Sequence, residues 1–173
     1  MNDERPILAV TVGDVAGIGP EIAVKAARRP DVRARCRLVL VGGADHLAGV
    51  ARWLDPDGDL RVVRWTEGTE LEVRDGIINV FDAGPDVSSV VPGRRSPLAG
   101  RAAVEYVMAA ADLVERGSVD GIVTCPLNKQ AMHEAGFDYP GHTELLARRF
   151  DAVRFSLVLA AEGLSVFHVT THL

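Results

Sequence analysis

Long apolar runs are missing from this chain of 173 residues. Its apolar runs, such as those at 7–12 and 38–41, fall far short of the roughly 20 residues that cross a bilayer, so no membrane-spanning helix is expected. A basic surplus is missing too. The formal net charge is -5 and the arginines are scattered rather than clustered, which argues against a nucleic-acid partner. Cysteine is scarce: Cys36 and Cys125 lie too far apart for a zinc pair and are too few for a disulfide framework, and both are expected to be reduced, buried thiols. The N-terminus has Asn2, Asp3 and Glu4 where a secretory leader carries a basic stretch and an apolar one, so a cytoplasmic location is the expectation. Neither internal repeats nor low-complexity tracts occur. What remains is a soluble globular composition, 47% hydrophobic and 25% charged, long enough for one domain with an ordinary core.

Short β-branched runs alternate with longer helical stretches, the rhythm of an α/β domain. Residues 7–12 read as a buried strand running into the turn Gly13-Asp14-Val15-Ala16-Gly17-Ile18-Gly19, after which Pro20 and Glu21 open a helix to about residue 29. A strand at 37–41 and a helix at 44–54 follow, and Asp55-Pro56-Asp57-Gly58-Asp59 breaks the chain as a turn. Residues 60–65 read as a strand, and 71–73 with 77–81 as a hairpin about Asp75-Gly76. The stretch 83–97 holds Gly84, Pro85, Pro92, Gly93 and Pro97 and is expected to be a long loop, of a length usually functional or mobile. Alanine-rich 98–116 makes the strongest helix, closed by Gly117. Then come a buried strand at 119–124, a short helix reaching Gly136, a helix at 144–150, and strands at 156–160 and 165–169 joined at Glu162-Gly163.

Four segments carry residues suited to chemistry. The loop Gly13 to Glu21 brings glycines and a helix start, which let a backbone approach an anion, but its spacing is neither a dinucleotide fingerprint nor a P-loop. A tight strand-to-helix turn would need the same glycines. Thr124-Cys125-Pro126-Leu127-Asn128-Lys129 stands at the carboxyl end of a strand, where open α/β sheets place ligands. A cation at a helix start is disfavoured unless something negative stands nearby, so Lys129 either meets a phosphate or carboxylate or is a solvated surface lysine. In Gly141-His142-Thr143-Glu144, imidazole and hydroxyl side by side can hydrogen-bond an oxygen-rich ligand. The alternative has Thr143 capping the helix and His142 at the surface. His168 and His172 lie in a strand-like stretch, roughly 13 Å apart over four residues, and cannot chelate one ion together. His172 alone can be one ligand of a larger set, while His168 is assigned to packing and His46 and His133 to the surfaces of their helices.

Taken together, and in this order and spacing, Gly13 to Glu21, Pro126-Leu127-Asn128-Lys129, Gly141-His142-Thr143-Glu144 and Thr170-Thr171-His172 resemble the 4-hydroxythreonine-4-phosphate dehydrogenase family across the whole chain. The resemblance implies an α/β fold like that of isocitrate and isopropylmalate dehydrogenases, with two α/β domains flanking a cleft and homodimers that share active sites. Residues 1–173 would be its N-terminal portion, the first domain and the start of the second. His142 and Thr143 match the pair that binds the phosphorylated substrate, Lys129 a basic position near the cleft, and His172 the first of three histidines holding a divalent metal (zinc, magnesium or cobalt). Val15 stands where the family's loop usually has proline, a change expected to alter stiffness but not chemistry. The implied reaction is oxidation of a phosphorylated hydroxy acid by NAD or NADP, followed by loss of carbon dioxide. With 4-phosphooxy-L-threonine it yields 3-amino-2-oxopropyl phosphate in vitamin B6 biosynthesis, and relatives take D-threonate or D-erythronate 4-phosphate. Arg94, Ser96, Ala99 and Gly100, with 166–172, look somewhat closer to that second branch.

Family chains are much longer. One imidazole does not retain a catalytic metal, so the portion in hand is expected not to catalyse alone, to expose strand edges and apolar surface, and to dimerise or aggregate. The contrasting expectation is a short product that has lost its chemistry and survives as a binding or assembly remnant.

Overall fold

The computed structural model describes residues 4–169. Five parallel strands form one sheet in the order β3-β4-β2-β1-β5. They are β1 (Ile7–Thr11), β2 (Arg37–Gly42), β3 (Arg61–Arg64), β4 (Ile77–Asp82) and β5 (Gly121–Thr124). β1 and β2 end in the fully buried run Ala9, Val39, Leu40 and Val41, the near-continuous apolar pattern of strands covered on both faces. Helices α1 (Gly19–Arg28), α2 (Pro30–Arg33) and α3 (Ala44–Leu54) connect the strands on one side of β1. Helix α4 (Pro97–Glu115) leads across to β5 on the other. Right-handed crossovers running in opposite directions put their helices on opposite faces, and α1 packs on α3 while α4 packs along β1, β2 and β5.

Helix α4 is built from small residues on its inner side, Ala99, Ala102, Ala103, Ala110 and Ala111, all buried. They combine high helix propensity with a close approach to the sheet. Its end is a Schellman turn, in which Ser118 N donates to Leu113 O at 2.9 Å and Gly117 N to Val114 O at 2.9 Å. This places Gly117 just past the cap, as the sequence predicts. The loop before α4 is anchored rather than loose: Val87 and Val90 are in the core and Gly93 N donates to Ala16 O at 2.7 Å.

The expected hairpin at 71–81 does not form. β4 pairs in parallel with both β3 and β2, and residues 71–73 are not a strand. The chain at Gly76 is taken up by the segment before β3, with Arg61 N bonded to Gly76 O at 2.9 Å. Buried Asn79 then holds residue 72 through both ends of its amide, accepting from Glu72 N at 3.0 Å and donating to Glu72 O at 2.9 Å.

Residues 139–173 make a second compact unit, separate from 1–138. Within it are α6 (His142–Arg149) and an antiparallel hairpin of β6 (Val158–Ala161) and β7 (Leu164–Phe167) turning at Glu162-Gly163, as the sequence predicts. The short helix α5 (Lys129–Glu134) belongs to the first unit.

Candidate functional site

The loop leaving β1 turns out to be a tie between strands. Gly13 has a φ of +67°, and a Cβ there would fall 2.3 Å from Pro126 O. Asp14 N donates to that same oxygen at 2.9 Å, and Cys125 N donates to Thr11 O at 3.0 Å, so the exits of β1 and β5 are stitched together by backbone. At Gly19 a Cβ would lie 2.1 Å from Val12 O. Asp14 is 8% exposed, and its carboxylate accepts from Ala16 N at 2.9 Å. A buried carboxylate at the mouth of the loop opposes an anion there, so the geometry supports turn-building as the reason for these glycines. Val15 is buried at the position where the resemblance has proline.

From β5 the chain passes Cys125, a buried free thiol whose pKa is pushed up by burial, and reaches α5. Cys36, also free, is only half-buried rather than buried as expected, and stands just before β2 begins at Arg37. Asn128 caps α5, its side-chain oxygen accepting from Ala131 N at 3.0 Å. An asparagine directly before a helix is the sequence signal that marks this role. Lys129 is the first helical residue, exposed, with no ion pair or hydrogen bond to another described residue and no acidic residue in the first turn. An unpaired cation at a helix N-terminus is the arrangement an anionic ligand relieves. Arg95 grips the same helix, donating to Gln130 at 2.9 Å and pairing with Glu134 at 3.0 Å. No sequence signal pointed to that contact.

In the second unit, α6 begins two residues earlier than expected. Gly141 is its N-cap and Leu145 N donates to Gly141 O at 3.2 Å, so His142 and Thr143 occupy the first turn and Thr143 does not cap. Fully buried Leu145 anchors the helix, with Glu144 in the first turn and Arg148 and Arg149 in the last, in line with its dipole. His142 is half-buried, and burial lowers its imidazole below the ordinary pKa, keeping the ring neutral near pH 7. Its Nε2 is buried with no hydrogen-bond partner among the described residues. Such a group calls for a partner. An imidazole nitrogen in this state, on the same first helical turn as Thr143, is one that an oxygen-bearing ligand would satisfy.

The other histidines divide. His133 is exposed on α5, in keeping with a surface role. His46, expected on a helix surface, is instead half-buried in α3, and burial lowers its pKa. His168 is half-buried at the end of the hairpin, where its amide donates to Leu157 O at 2.9 Å. His172, with Thr170 and Thr171, lies outside the described residues. Among the described residues, no three His, Cys, Asp or Glu side chains are placed to hold a metal ion. No described helix is long and apolar enough to cross a membrane.

Residues 34–173 match the family model described as pyridoxal phosphate biosynthetic protein PdxA. The chain belongs to the PdxA family. Among PdxA relatives, a D-threonate 4-phosphate dehydrogenase from Bordetella bronchiseptica is 49% identical over 169 residues, covering 96% of this chain and 48% of that protein. A 4-hydroxythreonine-4-phosphate dehydrogenase from Desulfosudis oleivorans is 36% identical, covering 97% and 49%. The crystal structure of a 4-hydroxythreonine-4-phosphate dehydrogenase from Burkholderia phymatum superposes with a TM-score of 0.89 at 36% identity, covering 99% of this chain and 51% of that one. The chain spans about half the length of the curated relatives it matches. The parallel α/β architecture is therefore that of the N-terminal part of PdxA dehydrogenases.

Proposed function

We propose that this chain is the N-terminal portion of an NAD- or NADP-dependent dehydrogenase acting on a phosphorylated four-carbon hydroxy acid. Residues 1–138 belong to its first domain, and 139–173 begin its second. The observation that carries the reading is the state of two helix starts: among the described residues, the buried Nε2 of His142 and the ammonium of Lys129 each lack a partner. By the family resemblance, Lys129 in the first unit is assigned to an anionic group of the substrate, and His142 and Thr143 in the second are assigned to hydrogen bonds with its oxygens. A bound nicotinamide would supply the hydride acceptor, and oxidation of the hydroxyl-bearing carbon would give a β-keto acid prone to lose carbon dioxide. His172 is the candidate imidazole for a divalent metal; the described residues supply no further ligand set, and no step is assigned to that ion.

D-Threonate 4-phosphate is the favoured substrate, supported by the 49% identity to an enzyme named for it against 36% to one named for 4-hydroxythreonine 4-phosphate. The test is to read the gene beyond Leu173, purify its full product and follow nicotinamide reduction with D-threonate, D-erythronate and 4-hydroxy-L-threonine 4-phosphates. Turnover with D-threonate 4-phosphate is expected. A native product of 18.5 kDa that reduces no nicotinamide with any of the three would instead establish a remnant that has lost its chemistry.

A further inference from the structure

Residues 125–134, which include Lys129, are held from three directions. From the β1 exit, Asp14 N reaches Pro126 O at 2.9 Å. From the loop before α4, Arg95 bonds Gln130 and Glu134. From α4, the backbone at buried Gly100 lies directly against the first turn of α5. A Cβ at Gly100 would meet the carbonyl carbon and oxygen of Ala131 at 2.2 Å and Met132 N at 2.5 Å. Those are backbone atoms, which cannot rotate aside as a side chain would. Any side chain at position 100 therefore has to push α5 away, from 2.2 Å toward the 3.4 Å of ordinary contact.

The Lys129 ammonium has no bond of its own to another described residue. Nothing aims it except the placement of its backbone. We propose that Gly100 and Arg95 are positioning residues for Lys129, fixing the first turn of α5 so that its ammonium meets the anionic group of the phosphorylated acid. This rests on the reading of Lys129 as a substrate contact. Gly100 supplies the close approach that sets the depth of α5. Arg95, bonded to Gln130 next to Lys129 and to Glu134 at the far end of the helix, sets its rotation.

The test is a double-mutant cycle in the full-length protein, with dissociation constants for D-threonate 4-phosphate measured by calorimetry and folding followed by circular dichroism. Lys129→Ala is expected to weaken binding about tenfold, as loss of a charged hydrogen bond does. Gly100→Ala and Arg95→Ala are each expected to weaken it roughly threefold to tenfold, and neither should add any loss once Lys129 is alanine. A merely structural role would lower the melting temperature and leave the affinity of the folded protein alone, or would cost the same with and without Lys129. Arg95→Ala removes only exposed contacts, the hydrogen bond to Gln130 and the ion pair with Glu134, which contribute little stability, so it carries the test should Gly100→Ala not fold. If Lys129→Ala binds the acid as tightly as the wild type does, the substrate-contact reading is overturned. If Lys129→Ala weakens binding while the other two do not, or their effects persist without Lys129, the positioning inference alone falls.

Discussion

Replacing Gly13 by alanine tests whether the loop after β1 is a tie between strands or a cradle for an anion. At a φ of +67° an alanine is strained by about 1–2 kcal/mol. Its methyl would stand 2.3 Å from Pro126 O, so that oxygen must retreat and its 2.9 Å bond from Asp14 N is lost. Leaving the amide of buried Asp14 without a partner costs about 1–3 kcal/mol more. The total, about 2–5 kcal/mol, corresponds to roughly 5–15 °C of melting temperature in a chain of this size. Thermal unfolding of Gly13→Ala by circular dichroism is the assay, with Gly17→Ala as control. Gly17 is exposed, has an ordinary φ, and would bring its methyl no closer than 3.4 Å to Asp14 O, so a shift under about 2 °C is expected. Equal melting of the two variants would refute the tie. A phosphate-dependent stabilisation of the wild type that Gly13→Ala loses would point back to the anion cradle, which the buried Asp14 carboxylate opposes.

Three further outcomes are expected. In the full-length enzyme, His142→Ala should raise KM with little change in melting temperature, since a half-buried imidazole with an orphaned Nε2 gives up few contacts; unchanged kinetics with a large fall in melting temperature would make it a structural histidine. Burial lowers the pKa of both His46 and His142 below 6.5, so the unfolded chain binds more protons, and stability should be full above that pH and fall as pH drops through the folded values. Urea midpoints measured between neutral and mildly acid pH should show this slope, and His46→Gln with His142→Gln should flatten it; a slope that survives both changes places its cause elsewhere. The chain of residues 1–173 leaves Leu159, Leu164 and Phe167 of the β6–β7 hairpin and Trp53 of α3 exposed, and is expected to elute from a sizing column as a dimer or larger; a clean monomer at micromolar concentration would refute this.

Much of the first unit could be read in advance because its signals are local. Helix α3 has the predicted bounds, since its apolar period and flanking turns compete with nothing. Gly117 ends α4 as predicted because a left-handed residue after an alanine-rich helix is strongly preferred to be glycine. The failures involve partners distant in sequence. Asp75-Gly76 has the local chemistry of a hairpin turn, yet the preference for burying β4 between β3 and β2 outweighed it, and Asn79 took over the bonds a hairpin would have made. Likewise, a proline before Gly141 gave no hint that the helix begins at His142 rather than Glu144, which moved Thr143 from cap to first turn.

For the candidate site, residue type and spacing alone named Lys129, His142 and Thr143, because a cation, an imidazole and a hydroxyl carry their chemistry wherever they stand. Only the folded chain decided their surroundings: among the described residues it left the Lys129 ammonium and the buried His142 Nε2 without partners, and it used the Gly13 loop to join β1 to β5. It also brought Gly100 and Arg95 against α5, from segments some thirty positions away in sequence. Availability is a property of neighbours, and neighbours across a parallel sheet are set by crossovers and close packing rather than by any short stretch of sequence.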